Sequence, residues 1–514
     1  MTSKRSNANP PNTINPRKNR FNCMNKLVIL PIIFLLASLI YACNDGFDHY
    51  STNPGDLLAF STDTVAFDTI ISTVNTPYQL FKVYNPNAKA LLISSIYLEN
   101  GTESPFKINV DGQAGMTSHD VEIRPNDSIY VFVDAKPVEN DSDEPILLTD
   151  YVVFVTNGVQ QRVVIEATAQ DAVIWKGMII RSDTVLSNRK PFFIYDSLTV
   201  AEGVSLKIEE GVRFYMHNNA EIIVRGTLKI AGTLEKPVLI RGDRFDYLVN
   251  ISYDLVPGQW GGIRFKSSSY DNEMEYVFIR NGKYGMDFEL SDRSQMKMKM
   301  KNVVMTNFKG ILLNAVNCRI DAENCEFTNA KDALLYLTGG IYNFTHCTIA
   351  NYYLSSTELG WGSSDNETIC MMSSYRNKET STTEYYPIVQ ANFYNCIIWG
   401  KGTGSEITFD ADEEAFIIPF FQNCVIPNRE ATNDNPKDPN AEVIHCLIDE
   451  DPLFQLTDPK DFKYDFRLSS LSPARNAADI QIAQKLPMDI DGNDRFLDEG
   501  PDMGGYEFVP EKDL

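Results

Sequence analysis

Short β-rich runs dominate the chain after residue 50, and long runs with helical periodicity are almost absent there. Between about 55 and 170, runs such as 81–84, 129–133 and 151–155 are rich in aromatic and β-branched residues, and we interpret them as alternating, half-buried strands. Asn, Asp, Gly and Pro separate the runs. Alternation with a period of two is typical of half-buried strands. About seven such strands predict an immunoglobulin-like (Ig-like) β-sandwich over 55–170, within a chain of all-β fold class.

A second pattern begins near residue 173, where strand-length units are punctuated by Gly. A marker recurs there: Asn or His, then Cys, a variable residue and an apolar one. Its cysteines are Cys325, Cys347, Cys396, Cys424 and Cys446, and Asn302-Val303 fits one step earlier. From Val303 onward the marker positions are 22, 22, 49, 28 and 22 residues apart. A period of this length is the signature of a solenoid of β-coils, so we predict a right-handed parallel β-helix over 173–450. We expect the Asn and His of the marker at its corners, hydrogen-bonded to each other or to the backbone.

The cysteines fit this solenoid better than they fit a chemical site. The chain has nine, of which Cys23 and Cys43 precede the predicted folded part. Stacked thiols project in parallel, whereas a metal centre needs converging ligands at spacings such as C-x-x-C. An odd number of remaining cysteines also argues against a complete disulfide framework. We therefore predict a core ladder in which Cys acts as a small apolar residue, with no metal and no cofactor.

The C-terminal region carries motifs of a known family. Asp451-Pro452-Leu453-Phe454, Ser472-Pro473-Ala474 and Asp502-Met503-Gly504-Gly505-Tyr506-Glu507 follow one another. In this order they resemble the closing region of bacterial right-handed parallel β-helix repeat proteins. Gly258-Gln259-Trp260-Gly261 resembles a turn of the same family. The resemblance covers about 173–508 and implies that 451–514 forms the end and cap of the β-helix.

The first 42 residues read as a targeting segment. They contain six basic and no acidic residues, and an apolar run from 27 to 42 precedes Cys43. This run is short for a membrane span and suits a signal peptide. Ala42-Cys43 resembles the bacterial lipobox, which implies lipidation of Cys43, with palmitate expected, and a tether over 43–54. We interpret 1–42 as the signal peptide and 1–23 as an over-long gene start, the alternatives being an unlipidated signal peptide or an anchor helix.

With these parts combined, the chain resembles a lipoprotein of the Bacteroidota type that carries an Ig-like domain before its β-helix. The resemblance implies an outer-membrane location, exposed at the cell surface, with the lipid anchor binding the membrane. The charge of the chain suits an envelope surface, since 46 basic residues stand against 69 acidic ones and the formal net charge is −23. Such an acidic chain is unsuited to nucleic acid, which requires clustered Lys and Arg.

No catalytic set is recognisable in the sequence. A D-D pair and a G-H-G, which pectin-degrading hydrolases of this fold use, are absent. Asp287, Asp321 and Asp332 lie at different offsets from the marker, so no shared catalytic face is expected. The single R-x-K triplet, at 376–378, reads as part of a charged loop. The run 489–494 has oxygens at alternate positions like a Ca²⁺ loop but has Gly500 where the acidic twelfth ligand belongs.

Exposed aromatic residues are the remaining candidates for ligand binding, because sugar rings stack on aromatic rings. They lie in or beside the insertion between the Cys347 and Cys396 coils: Tyr352, Tyr353, Trp361, Tyr375, Tyr385 and Tyr386. The alternative is that they pack against the side of the solenoid. Trp175, Trp260 and Trp399 are expected to be packing residues.

Two hypotheses of different class follow. The first is a non-catalytic surface lipoprotein whose rigid β-helix binds glycans or other envelope proteins, or serves as a structural component of the envelope. The second is a carbohydrate-active enzyme, a polysaccharide lyase or glycoside hydrolase. A groove lined by carboxylates, or by carboxylates with Lys or Arg, would favour the second.

Overall fold

The computed structural model describes residues 50–510 except 75, 77, 246, 249–250, 354–366, 378–379, 401–406, 414, 428–440 and 459–461. The predicted leader, Cys43 and Trp361 lie outside the described residues. The regular secondary structure of the described residues is almost entirely β-strand, which confirms the all-β prediction. Among these residues no helix combines the length and the apolar character that crossing a bilayer requires.

The first part of the chain forms ten strands, three more than predicted. They are β1 (Ala59–Phe60), β2 (Thr64–Ile71), β3 (Gln79–Tyr84), β4 (Leu91–Leu98), β5 (Phe106–Val110), β6 (Gln113–Gly115), β7 (Thr117–Ile123), β8 (Ser128–Ala135), β9 (Ile146–Thr156) and β10 (Val159–Gln170). The prediction of seven was too low because strands such as β1 and β6 are too short to show an alternating pattern.

These strands form two five-stranded sheets in the orders β1-β3-β8-β5-β6 and β2-β10-β9-β4-β7. Both sheets contribute to one apolar cluster, which includes Phe81 and Val131 from the first and Ile96, Phe154 and Ile165 from the second. Alternate residues of each strand enter this core, which is what the period-two pattern indicated.

A parallel sheet of 24 strands occupies most of the remaining chain. Its strands are β11 (Val173–Ile180), β12 (Thr184–Leu186), β13 (Phe192–Val200), β14 (Ser205–Ile208), β15 (Arg213–Met216), β16 (Glu221–Val224), β17 (Thr227–Ala231), β18 (Val238–Gly242), β21 (Gly262–Phe265), β22 (Asn272–Arg280), β23 (Met286–Phe288), β24 (Met298–Phe308), β25 (Leu313–Glu323), β26 (Glu326–Ala330), β27 (Ala333–Thr345), β28 (Thr348–Asn351), β29 (Glu367–Met372), β32 (Ile388–Tyr394), β33 (Ile397–Gly400), β34 (Ile407–Asp410), β35 (Ile417–Gln422), β36 (Val425–Ile426), β37 (Glu442–Ile444) and β38 (Leu447–Ile448). Two hairpins lie outside it, β19 (Tyr247–Leu248) with β20 (Ile251–Ser252), and β30 (Ser374–Arg376) with β31 (Thr383–Tyr385). Single 3-10 turns occur at Gly101–Glu103 and Tyr253–Leu255.

The register of this sheet reproduces the spacing of the repeat. The residues after each marker Cys pair in the succession Val304–Glu326–Thr348–Ile397–Val425–Leu447. These steps are 22, 22, 49, 28 and 22 residues long, as the marker positions are. Each marker therefore returns beside its own copy, and we call one such return a coil.

The polar residue of each marker lies at a bend in the left-handed backbone region. Asn302, Asn324, His346, Asn395, Asn423 and His445 have φ between 48° and 54°. Asn and His tolerate this region better than most residues with a Cβ. This conformational demand explains the choice of residue at the marker, and the predicted corner position is confirmed.

The marker cysteines form a ladder inside the coils, as predicted. Cys325, Cys347, Cys396 and Cys424 are buried and Cys446 is half-buried, and all of them carry free thiols. Successive members are in contact, with the backbone N–H of Cys396 3.3 Å from the Cys424 sulfur. The ladder belongs to one long apolar core that runs from Ile180 to Ile426.

The C-terminal segment contains β39 (Phe454–Asp458), β40 (Lys463–Leu468) and one helical turn, α1 (Ile480–Ala483). Its contacts fall along the side of the coils. Corner residues donate side-chain N–H groups to its backbone carbonyls: Asn324 to Met488 at 2.7 Å, Asn395 to Asp479 at 3.1 Å and Asn423 to Ala477 at 3.0 Å. An apolar layer of Phe454, Phe466 and Met503 with Ala350 and Ile397 completes this side.

Candidate binding groove

Two columns of charged side chains run across one face of the parallel sheet. The register aligns Lys207, Lys229, Glu273, Lys299 and Asp321 in the first column. Two residues further along the strands, it aligns Glu275, Lys301 and Glu323 in the second. Every second residue of a strand points to the same side, so both columns face outward while Ile208, Ile230 and Met300 enter the core.

These columns line a groove of about 500 Å³, here called the charged groove. Its charged lining residues are Lys207, Lys229, Lys299, Lys301, Glu273, Glu275, Asp321 and Glu323. Four lysines and four carboxylates thus share one open surface. This lining contains the carboxylates and lysines that would favour an enzyme. The arrangement of these charges therefore has to be examined to distinguish binding from catalysis.

The charges of the groove are paired across strands. Lys229 Nζ lies 3.1 Å from Glu273 Oε1, and Lys301 Nζ lies 3.8 Å from Glu275 Oε1. Both pairs are well exposed, so each contributes only about 0–1 kcal/mol to folding. Partial burial raises the pKa of the Glu323 carboxyl, and the nearby Lys301 opposes that rise. The pairs hold charges of opposite sign in fixed positions along the groove but stabilise the fold only slightly.

The groove continues into a row of amides and then aromatic rings. Asn343 donates from Nδ2 to Asp321 Oδ1 at 2.8 Å and accepts from Gln390 Nε2 at 2.7 Å. Further along the same face, the rings of Tyr394 and Phe420 are 5.6 Å apart. Carboxylates, amides and ring faces are the groups that contact hydroxyls and C–H faces of sugars. The face therefore offers polar and aromatic contacts in one line.

Sequence reasoning missed this groove, although a signal was present. Charged residues spaced two apart recur at Glu273 and Glu275, Lys299 and Lys301, and Asp321 and Glu323. Such pairs place two charges on the same face of a strand. The 22-residue step from Val303 to Cys325 also relates Lys299 to Asp321 and Lys301 to Glu323. Glu273 and Glu275 precede the first marker, so their alignment depends on which strands become neighbours.

The first sheet of the N-terminal part bears a second exposed surface. Tyr78, Tyr130 and Phe132 form it and are here called the aromatic surface; the Phe132 ring lies 6.4 Å from Tyr78 and 6.2 Å from Tyr130. Tyr78 is 65% exposed. Lys82 Nζ lies 5.0 Å from the centre of the Tyr130 ring. The alternating pattern of β8 predicted outward positions, but it did not predict that aromatic rings from neighbouring segments would meet there.

Two of the predicted aromatic binding residues are buried. Tyr352 is 7% exposed and Tyr353 is 3% exposed. The Tyr352 ring packs on Phe454 and Phe466 of the C-terminal segment. The prediction of exposure is therefore wrong for this pair, because the C-terminal segment covers their side of the coils. The alternative, packing against the solenoid side, is what the structure contains.

Three other predicted residues lie together beside the main sheet. Tyr375 and Tyr385 belong to the hairpin β30–β31, and Tyr386 follows it. Tyr386 donates its hydroxyl to Glu384 Oε2 at 2.5 Å. Tyr385 is exposed and the other two are half-buried. Their role in binding remains a prediction. Trp260 is fully buried and donates to the Arg280 carbonyl at 2.8 Å, which confirms it as a packing residue.

The acidic residues considered from the sequence are distributed over different faces. Asp287 lies 3.4 Å from Arg264 and accepts from Asn314 at 2.8 Å, on the face formed by β21, β23 and the first half of β25. Asp321 belongs to the charged groove, on the second half of β25. Asp332 is exposed between β26 and β27. The register thus places Asp287 beside the first half of β25 and Asp321 within its second half.

The run 489–494 is part of the C-terminal segment and is occupied by protein contacts. Asp489 accepts from the backbone and side chain of Asn493 at 2.7 and 3.0 Å. Asp491 accepts from Arg467 at 2.7 Å. Across the described residues, no group of three His, Cys, Asp or Glu is placed to hold a metal ion.

Comparisons with known proteins give few constraints. No protein-family model matches the sequence, and no curated protein matches it either. The VesB protease of Vibrio cholerae is 13% identical, and the match covers 22% of this chain and 31% of that one with a TM-score of 0.16. A family 123 glycoside hydrolase from Clostridium perfringens is 10% identical, and the match covers 22% of this chain and 26% of that one with a TM-score of 0.16. The catalytic domain of a GH87 α-1,3-glucanase is 10% identical, and the match covers 74% of this chain and 86% of that one with a TM-score of 0.21. The first two matches span about a third or less of the other chain. Two of the three are glycoside hydrolases, but at these TM-scores the likeness carries no conclusion on fold or function.

Proposed function

We propose that this chain is a lipoprotein of the outer-membrane surface that binds a glycan along the charged groove, without catalysis at that groove. In this proposal Cys43 carries the lipid anchor, an Ig-like sandwich over 55–170 acts as a spacer, and a right-handed parallel β-helix presents the groove. The lipobox-like run before Cys43 supports the anchor. The parallel register with its repeating steps supports the β-helix.

The groove is the observation that carries the proposal. It offers about 500 Å³ of open space on a rigid sheet, lined by four lysines and four carboxylates. The row continues through the Asn343 amide to the Tyr394 and Phe420 rings. A glycan chain is long, polar and rich in hydroxyls, so it suits an extended surface on which charged, amide and aromatic groups follow one another.

The pairing of the groove charges favours binding over catalysis at this place. A general acid requires a carboxyl held protonated, and a general base one held free of other partners. Here Glu273 and Glu275 are engaged by lysines, and the raised pKa of Glu323 comes from partial burial that Lys301 and Lys299 oppose. Such a set of compensated charges can bind hydroxyl and carboxylate groups without a defined acid–base pair.

A binding measurement on the full chain tests the proposal. A panel of envelope and host polysaccharides is screened, and the affinity for the best ligand is measured by calorimetry. The double variant Lys299→Ala/Lys301→Ala should weaken binding about tenfold or more, since it removes two charge-assisted hydrogen-bond donors. A matched control, Lys107→Ala/Lys136→Ala, removes the same charge from exposed positions of the N-terminal part and should leave the affinity unchanged.

The same assay separates the groove from the aromatic surface. Tyr130→Ala should not alter binding if the groove is the site. Loss of affinity in Tyr130→Ala, with full affinity in the Lys299→Ala/Lys301→Ala variant, would move the site to the N-terminal part and overturn the proposal. Absence of binding to every polysaccharide in the panel would also count against it.

The anchor has its own test. Labelled palmitate should be incorporated into the wild-type chain in cells, and Cys43→Ala should abolish the incorporation. Protease added to whole cells should degrade the wild-type protein if it faces outward. Labelling that persists in Cys43→Ala would contradict lipidation at this cysteine.

A further inference from the structure

Four polar side chains form a column on the row of strands β11, β13, β15 and β18. Lys176 pairs with Tyr195 in the register. The next pairs in line, Ile194–Met216 and Met216–Gly242, bring the following residues Tyr195, His217 and Asp243 side by side. These strands are distinct from those of the charged groove, so the column is a separate surface of the molecule.

Contacts between the four side chains are direct. Lys176 Nζ lies 5.2 Å from the centre of the Tyr195 ring. The Tyr195 and His217 rings are 4.4 Å apart. His217 Nδ1 lies 2.5 Å from Asp243 Oδ2. The column therefore presents an ammonium, a phenol and an imidazole held by a carboxylate, in that order.

The carboxylate gives the imidazole a defined orientation. Because Asp243 engages Nδ1, the other ring nitrogen, Nε2, is the one left to exchange a proton with a ligand. The His217 side chain is 45% exposed, whereas that of Asp243 is 12% exposed. A stack of rings that served packing alone would need neither the exposed imidazole nor the shielded carboxylate behind it.

The phenol is kept in its protonated form. Burial raises the pKa of the Tyr195 hydroxyl, and the charge of Asp243 raises it further. At neutral pH the group is therefore a proton donor. Lys176 is exposed, so its ammonium can approach an anionic group of a ligand that lies over the Tyr195 ring.

We propose that Lys176, Tyr195 and His217 form a catalytic site that cleaves uronate-containing glycans by β-elimination, with Asp243 as a positioning residue. This reaction requires a base, an acid and a cation beside the substrate carboxylate, and the column offers all three. Hydrolysis by water is less well matched, since it requires a pair of carboxyl groups. This activity goes beyond binding in the charged groove and does not depend on it.

The step balances within the substrate and the column. Nε2 of His217 takes the proton from the carbon next to the substrate carboxylate, while Lys176 stabilises the negative charge that develops there. The electron pair forms a carbon–carbon double bond, and the bond to the neighbouring glycosidic oxygen breaks. That oxygen takes the proton of the Tyr195 hydroxyl. Solvent then carries the proton of His217 to the Tyr195 oxygen, which restores both groups.

The test uses the full chain with polygalacturonate, alginate and hyaluronate as probes. The unsaturated product absorbs ultraviolet light, so the initial rate is read directly. The wild-type protein should release it from at least one polymer. Tyr195→Phe, which keeps the ring stack, and His217→Asn should each lower the rate about 100-fold or more. His119→Asn, at a histidine of the N-terminal part, should leave the rate unchanged.

Asp243→Asn tests the positioning role separately. It should lower kcat more than it raises KM and shift the pH profile of the rate, because the imidazole loses its orienting carboxylate. Thermal unfolding of Tyr195→Phe, unchanged from wild type, shows that a lost rate is not a lost fold. The proposal is overturned if none of the three polymers yields the unsaturated product. It is also overturned if the rate is retained in both Tyr195→Phe and His217→Asn. Binding by the charged groove is measured independently with Lys299→Ala/Lys301→Ala.

Discussion

Asn395 Nδ2 lies 2.9 Å from His346 Nε2, although 49 residues separate the two in the sequence. They are corner residues of neighbouring coils, both in the left-handed backbone region. The same Asn395 side chain accepts the backbone N–H of Asp479 at 2.8 Å and donates to its carbonyl at 3.1 Å. One amide thus joins two coils to the C-terminal segment.

We predict that Asn395→Ala lowers the free energy of unfolding by about 2–4 kcal/mol, because buried groups of His346 and Asp479 lose their partners. Urea unfolding followed by circular dichroism measures the change. Asn302→Ala is the matched control. Asn302 has the same corner conformation, and its Oδ1 lacks a hydrogen-bond partner within the described residues.

The control should lose only about 1 kcal/mol, the cost of placing Ala in the left-handed region. Equal losses in Asn395→Ala and Asn302→Ala would show that the backbone conformation alone matters at these corners. Asn395→Gly, which tolerates the conformation but lacks the amide, should remain close to Asn395→Ala.

His346 should make stability depend on pH. Burial lowers the pKa of its imidazole well below the ordinary value, and the Arg495 guanidinium lowers it further. The unfolded chain, with a His pKa of about 6.5, then binds a proton more readily than the folded chain. The free energy of unfolding should therefore fall as the pH drops below about 6.5, as urea midpoints between pH 7 and 5 would record.

His346→Asn is the control for this prediction, since Asn occupies the same corner in other coils. The variant should show a flatter dependence between pH 7 and 5. If its slope equals that of the wild type, the dependence arises from other groups, and the role assigned to His346 is wrong.

Arg495 should be essential for docking of the C-terminal segment. Its guanidinium is fully buried, donates to Asn324 Oδ1 at 3.0 Å and lies 3.7 Å from Glu507 Oε2. Arg495→Ala removes the buried donor to Asn324 Oδ1 and leaves the Glu507 carboxyl without its cation, so it should destabilise the fold by about 3–5 kcal/mol. Limited proteolysis with mass spectrometry should show faster cleavage after residue 450.

Arg475→Ala is the comparison for this variant. Arg475 pairs with Asp498 at 3.3 Å and is partly exposed, so its removal should change stability by about 1 kcal/mol or less. Cleavage of Arg495→Ala no faster than that of Arg475→Ala would contradict the buried pairing.

The cysteine ladder predicts an order of reaction with thiol reagents. Of the seven cysteines in the described residues, six are buried and Cys446 is half-buried. In the native protein an alkylating reagent should modify Cys446 first, because the other thiols react only after unfolding. Peptide mass spectrometry after brief treatment identifies the site. Early modification of Cys396 or Cys424 would mean that the coils open more readily than the packing implies.

The sequence by itself determined the parts of the fold that repeat. The marker spacing defined the steps of the parallel register, because each coil returns the chain to the same hydrogen-bonding position. It also placed Asn and His at corners and Cys in the core, since a left-handed bend and a narrow interior each admit few residue types. Alternation in 129–133 correctly indicated a strand with one buried side. In 151–155 the expectation was wrong, because Val152, Val153 and Phe154 are all buried.

Only the tertiary structure decided which side chains meet on the outside. Lys299 and Glu273 share the charged groove because β22 and β24 become neighbours, and His217 meets Asp243 because β15 and β18 do. Such columns depend on the length of every intervening turn, and turn lengths vary from coil to coil. Tyr352 and Tyr353 lost their predicted exposure for a similar reason. The segment that covers Tyr352 lies about 100 residues later in the sequence, at Phe454 and Phe466, and no local pattern records where it packs.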